Sequence, residues 1–138
     1  MNYRSYSSQR YLESSVVTAS PEQLVVMSYE GAISLLKQAI TQIEHKDYEG
    51  KKNSINRALG LVHHLQNSLD MDRGGEISIE LRRIYQYISS KIVEGSIHFK
   101  TDPLNEAVKL LSTLLESWRV IVSQKQNQAN SKPAKLVG

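Results

Sequence analysis

The sequence predicts an all-α chain, an antiparallel up-down four-helix bundle, from three observations. Apolar residues recur at three- and four-residue spacing in four separate stretches of the 138 residues. Short turn signals separate those stretches, which favours antiparallel neighbours. No run of alternating β-branched residues is bounded by turns, so no sheet is expected. At 40% hydrophobic residues the chain suffices for one core and is too short for two comfortable domains.

The first helix opens with a strong start signal. Ser20 fits an N-cap, Pro21 the first helical position, and Gln23 the return partner of a capping box. Val26, Tyr29, Ile33, Leu36, Ile40 and Ile43 then form a stripe running to about Lys46. A second, partial stripe of Val25, Ala32, Leu35 and Ala39 predicts burial from more than one side.

Asp47 caps the second helix, whose apolar line is Ile55, Ala58, Val62, Leu65 and Leu69. "DMDRGGE" interrupts it, with Gly74 and Gly75 ending the pattern. The third helix begins at Glu76 and carries Ile77, Leu81, Ile84, Tyr85, Ile88 and Ile92 to about Lys100. "TDP" supplies Asp102 as cap and Pro103 in the first turn of the fourth, which shows Leu104, Ala107, Leu111, Leu114, Trp118 and Ile121.

The bundle domain is therefore expected over 1–124, with 1–19 as a mobile N-terminal segment and 125–138 as a disordered tail rich in Lys, Asn and Gln. Tyr3, Tyr6 and Tyr11 stand in the polar leader, and such rings dock reversibly on an apolar groove while their hydroxyls stay wet. A frayed terminus is the competing reading.

Function classes are narrowed mainly by what the sequence lacks. With no cysteine there is no disulfide framework, thiolate zinc site or cysteine nucleophile, as suits a reducing cytoplasm. No secretory signal or bilayer-spanning run is seen, so membrane insertion is not expected and the chain reads as soluble and cytoplasmic. Lys125, Lys132 and Lys135 account for the excess of 17 basic over 14 acidic residues, so 1–124 is neutral by this count. A neutral body lacks the basic face that nucleic-acid binding needs.

Catalytic groups do not converge, and neither an enzyme nor a cofactor is expected. His63 and His64 diverge by about 100° on a helix, and Glu94 with His98 makes only two ligands, so no metal site is assigned. "DRGGE" lacks the spacing and the lysine of a phosphate-binding loop. What remains is apolar surface: Leu61, Tyr87, Leu110 and the Val25, Ala32 face lie beyond the main stripes and leave grooves for a partner helix.

Three stretches together resemble the flagellin export chaperones called FliS. "VVTASPEQLVVMSYEGAI" carries Ser20, Pro21, Leu24, Met27, Tyr29, Gly31 and Ala32 of that family's N-terminal signature. "SLDMDRGGEISIELRRIYQYI" is similar to its central loop and third helix, and "EAVKLLSTLLESWRVI" to its last, including Trp118. Ser28 stands where the family usually has leucine, and Glu30 where it usually has aspartate.

The resemblance implies a cytoplasmic chaperone for bacterial flagellum biogenesis. It would bind the disordered C-terminal segment of flagellin, prevent premature polymerisation and deliver the client to the type III export apparatus. The flagellin-binding residues carried over are Leu24, Met27, Tyr29, Ile33, Ile84, Tyr85 and Ile88, with Tyr6, Tyr11, Val16 and Val17 as an N-terminal lid. Further partners implied are the export gate and an anti-sigma factor or antagonist, with a monomer or weak homodimer when empty. A regulatory bundle that dimerises through its apolar faces, and a helical nucleic-acid binder, are the readings from other classes.

Overall fold

Ser20 begins the fold as its sequence context requires. Its hydroxyl accepts from the Gln23 amide at 3.2 Å while the Gln23 side chain accepts from the Ser20 amide at 2.9 Å, closing a capping box ahead of Pro21. The computed structural model describes residues 19–127. The N-terminal lid residues Tyr6, Tyr11, Val16 and Val17 and the tail from residue 128 onward lie outside them.

Four helices follow: α1 Pro21–Glu44, α2 Tyr48–Asn67, α3 Gly75–His98 and α4 Thr101–Asn127. There is no strand among the described residues. α1 packs against α2 and α4, and α3 against the same two, so α1 and α3 face each other across the diagonal of an up-down bundle. α4 runs three residues into the stretch expected to be tail.

Local chemistry places the turns. Asp47 accepts from the Gly50 amide at 3.0 Å and caps α2. Between α2 and α3 the Asp70 carbonyl accepts from the Gly74 amide and the buried Ser78 hydroxyl, and Gly75 takes φ +54, which glycine alone adopts at no steric cost. α4 starts at Thr101, so Asp102 and Pro103 lie inside its first turn and Asp102 is not the cap expected of it.

The core is built from Val25, Tyr29, Ala32, Leu36 and Ala39 of α1, with matching lines from the other three helices. Burying each large aliphatic or aromatic side chain there contributes roughly 1.5–3 kcal/mol. The phase of α1 differs from the sequence reading: Val25 and Ala32, assigned to a partner groove, lie at the centre, while Val26, Ile33, Ile40 and Ile43 pack from the rim. α1 has a neighbour on each side, and the bisector between them falls on the second stripe. Ile77 at 57% exposure and Ile121 at 38% lie outside the core, although Ser78 beside the first is buried and Val122 beyond the second is half-buried.

Candidate functional site

A buried polar cluster joins three helices at the centre of the bundle. Tyr29 of α1 and Tyr85 of α3 meet across the diagonal with their hydroxyl oxygens 2.5 Å apart, and the Trp118 indole N–H of α4 donates to the Tyr29 oxygen at 3.1 Å. All three side chains are almost wholly buried. Large aromatic residues fill the centre, and each polar tip finds a partner there, as buried tyrosine and tryptophan require. The two rings are tilted by 49° with centroids 6.3 Å apart.

Burial pushes both phenol pKa values up, and the hydroxyl beside it adds to the rise at Tyr29. Both hydroxyls therefore stay protonated at neutral pH and act as hydrogen-bonding groups. Among the described residues no carboxylate or imidazole is hydrogen-bonded to them to move a proton. The cluster fixes helix positions and has no reacting group.

The seven residues expected to bind a client do not share one surface. Tyr29, Tyr85 and Ile88 are core residues, shielded from any ligand that leaves the bundle closed. Leu24, Met27, Ile33 and Ile84 are half-buried and reachable. Leu24 and Met27 share the α2-facing flank of α1 with Gly31, where a Cβ would come within 2.9 Å of the Leu61 side chain, so that side chain lies directly over the Gly31 backbone. Ile33 lies on the α4 flank, and Ile84 one turn from Tyr87, whose hydroxyl donates to Glu106 of α4 at 2.6 Å.

Between α1 and α4 an open groove of about 690 Å³ is lined by Ile33 and Leu115 among polar neighbours, Lys37 and Gln38 included. Glu30 and Arg119 form an ion pair at 2.9 Å on its margin. Sequence reading missed that pair and the part played by Trp118. Their signal was present, since Tyr29 and Glu30 are adjacent on a descending helix and Trp118 and Arg119 on an ascending one.

The family model described as flagellar protein FliS matches residues 3–125, which span every described element up to the last turn of α4. The chain belongs to the FliS family. Curated relatives are themselves named flagellar secretion chaperones, so this is a family of chaperones and not of enzymes. The chain is 32% identical over 111 residues to the FliS chaperone of Salmonella typhimurium, covering 80% of this chain and 82% of that protein. The FliSB chaperone of Pseudomonas aeruginosa is 31% identical over 107 residues, 78% of this chain and 85% of the relative. The Bacillus subtilis FliS chaperone is 27% identical over 122 residues, 88% and 90% respectively.

This agrees with the family resemblance carried by the three quoted stretches. A FliS member with a closed core and half-buried apolar flanks offers surface for a partner rather than a chamber for a small molecule. Among the described residues no three His, Asp or Glu side chains are grouped to hold a metal, and no helix is long and apolar enough to cross a membrane.

Proposed function

We propose that this FliS-family chain is a cytoplasmic export chaperone that binds the disordered C-terminal segment of flagellin, keeps it from polymerising and hands it to the flagellar type III export apparatus. The observation that carries this reading is the spread of half-buried apolar side chains over separate flanks of a closed bundle. Leu24 and Met27 sit on the α2 side of α1, Ile33 on the α4 side, and Ile84 on α3, one turn from Tyr87 and its bond to Glu106 of α4. A long client that folds as it binds covers several such flanks, and its ordering cost keeps a large interface reversible. Those four residues are the direct contacts, while Tyr29, Tyr85 and Ile88 support them from the core.

The N-terminal segment with Tyr6, Tyr11, Val16 and Val17 acts as a lid on the same apolar surface. A competing lid lowers apparent affinity by the fraction of chains in the closed state. The export gate and an anti-sigma factor or antagonist are further partners of the same protein, with a monomer or weak dimer as the empty state.

Calorimetric titration with a peptide of the last ~40 residues of a flagellin from the same organism, long enough to form helices along the bundle, tests the reading. Binding with a negative heat-capacity change is expected, weakened by Leu24→Ala with Met27→Ala and tightened by removing residues 1–15. No binding by any flagellin of that organism refutes the client. Unchanged or weaker affinity after the deletion refutes the lid alone.

A further inference from the structure

The furrow between α1 and α2 has an apolar floor and a basic wall. On α1, Leu24, Met27 and Gly31 follow one another at three- and four-residue spacing, and on α2 Ser54, Arg57, Leu61 and His64 do the same. Two contacts fix these lines against each other: the Leu61 side chain lies over Gly31, and the Ser54 hydroxyl donates to the Gln42 side chain at 2.8 Å. The helices are antiparallel, so one turn from the Gly31 and Leu61 contact Met27 stands level with His64, and one turn the other way Leu35 stands level with Arg57. Leu24, Met27 and Leu61 are half-buried, whereas Arg57 and His64 are exposed.

The charge of this furrow is one-sided. α2 has no Asp or Glu between Glu49 and Asp70, and α1 has only Glu30 between Glu22 and Glu44. Glu30 is held on the α4 side by Arg119 at 2.9 Å. Among the described residues Arg57 has no ion pair, so its guanidinium keeps its fork of N–H donors for a carboxylate from outside the bundle. An apolar floor beside such a cation fits an amphipathic helix whose apolar face is edged by Asp or Glu.

We propose that the α1–α2 furrow docks an acidic amphipathic segment of the client and that Arg57 selects it, an inference that rests on the chaperone function proposed above. Leu24, Met27 and Leu61 take the apolar face of the segment, and Arg57 pairs with a carboxylate on its edge. The same charge sets client against lid. Residues 1–18 carry Arg4 and Arg10 against Glu13 alone, so the chain's own N-terminal segment is net positive and is repelled by Arg57. An acidic client is attracted there, and displaces the lid without needing a larger apolar contact.

Two synthetic helical peptides of about 18 residues, about 27 Å long, with the same leucine face and edges of either glutamate or lysine, test the proposal by fluorescence anisotropy against the full chain. The glutamate peptide should bind about tenfold or more tightly at low salt, with a smaller preference in high salt. Arg57→Glu should lower its affinity by about tenfold and raise that of the lysine peptide. Lys109→Glu makes the same change of net charge on α4, away from the furrow, and should leave both affinities unchanged. Leu24→Ala with Met27→Ala should weaken both peptides. Arg57 and Lys109 are exposed, and unchanged helical circular dichroism establishes that the variants remain folded. Peptides that bind equally or not at all overturn the proposal, as do equal effects of the two charge variants or a single-stranded oligonucleotide that binds as tightly as the glutamate peptide. A glutamate preference erased by Arg57→Glu, in a chain that binds no flagellin peptide, would refute flagellin as the client and support the furrow.

Discussion

Replacing Tyr29 by phenylalanine removes the oxygen that serves two partners at once. The Tyr29→Phe chain loses its link to the Tyr85 hydroxyl and to the Trp118 N–H, and both groups stay buried with nothing in exchange. A net hydrogen bond contributes about 1 kcal/mol and a stranded buried polar group costs about 1–3 kcal/mol, so with the overlap between these effects removed about 3 kcal/mol is expected. Tyr85→Phe breaks one link and leaves Trp118 bonded to Tyr29, which costs about 1–1.5 kcal/mol. The double variant strands only the Trp118 N–H, so its cost should be about 2 kcal/mol, less than that of Tyr29→Phe alone. In urea, with a slope near 1.5 kcal/mol/M, the midpoints should fall by about 2, 0.8 and 1.3 M in that order. Far-ultraviolet circular dichroism during urea unfolding measures all three. Additive single costs, or a Tyr85→Phe cost equal to that of Tyr29→Phe, would refute the three-way network.

The same tyrosines predict alkaline sensitivity: folded phenols with raised pKa keep their protons while unfolded ones ionise above about pH 10, so stability is retained below that pH and falls above it, by up to about 2.7 kcal/mol per unit for the pair. Urea midpoints above pH 10 should fall less steeply in the double phenylalanine variant, and equal slopes would contradict the assignment. Gly74→Ala drives a Cβ into the Ser78 oxygen and should cost about 1–3 kcal/mol, whereas Gly60→Ala meets open space in a helix and should stabilise by about 0.5–1 kcal/mol in the same titrations. Lys51 is buried with its ammonium donating to the Ser96 carbonyl at 3.1 Å and lying 4.4 Å from the centre of the Phe99 ring. Lys51→Met should keep the packing of the stem and lower the melting temperature by an amount matching about 1–2 kcal/mol, and an unchanged value would show the ammonium to be idle.

The number and order of the helices, the caps at Ser20 and Asp47 and the glycine turn before α3 were legible because each rests on local chemistry. The rotation of α1 was not, since both of its stripes are apolar and the choice between them depends on two helices remote in sequence. Tyr29 and Tyr85 show the same limit at the candidate site. An aromatic residue in a helical stripe suits a groove or a core equally, and only the meeting of α1 and α3 across the diagonal, with Trp118 at hand for the hydroxyl, puts both in the core. Ile77 and Ile121 show it again, since each continues an apolar stripe yet is exposed beside a covered neighbour, Ser78 or Val122.

The central cluster also acts as a ruler along the bundle axis. Layers of leucine and isoleucine tolerate sliding, because one aliphatic contact replaces another at little cost. Hydrogen bonds with fixed donors do not. A shift of α1 past α4 by one residue, about 1.5 Å, would part Trp118 from Tyr29 and strain the neighbouring Glu30 and Arg119 pair in the same motion. The polar cluster therefore sets which misaligned bundles are excluded, and a partner that stretched or slid these helices would have to undo that alignment first.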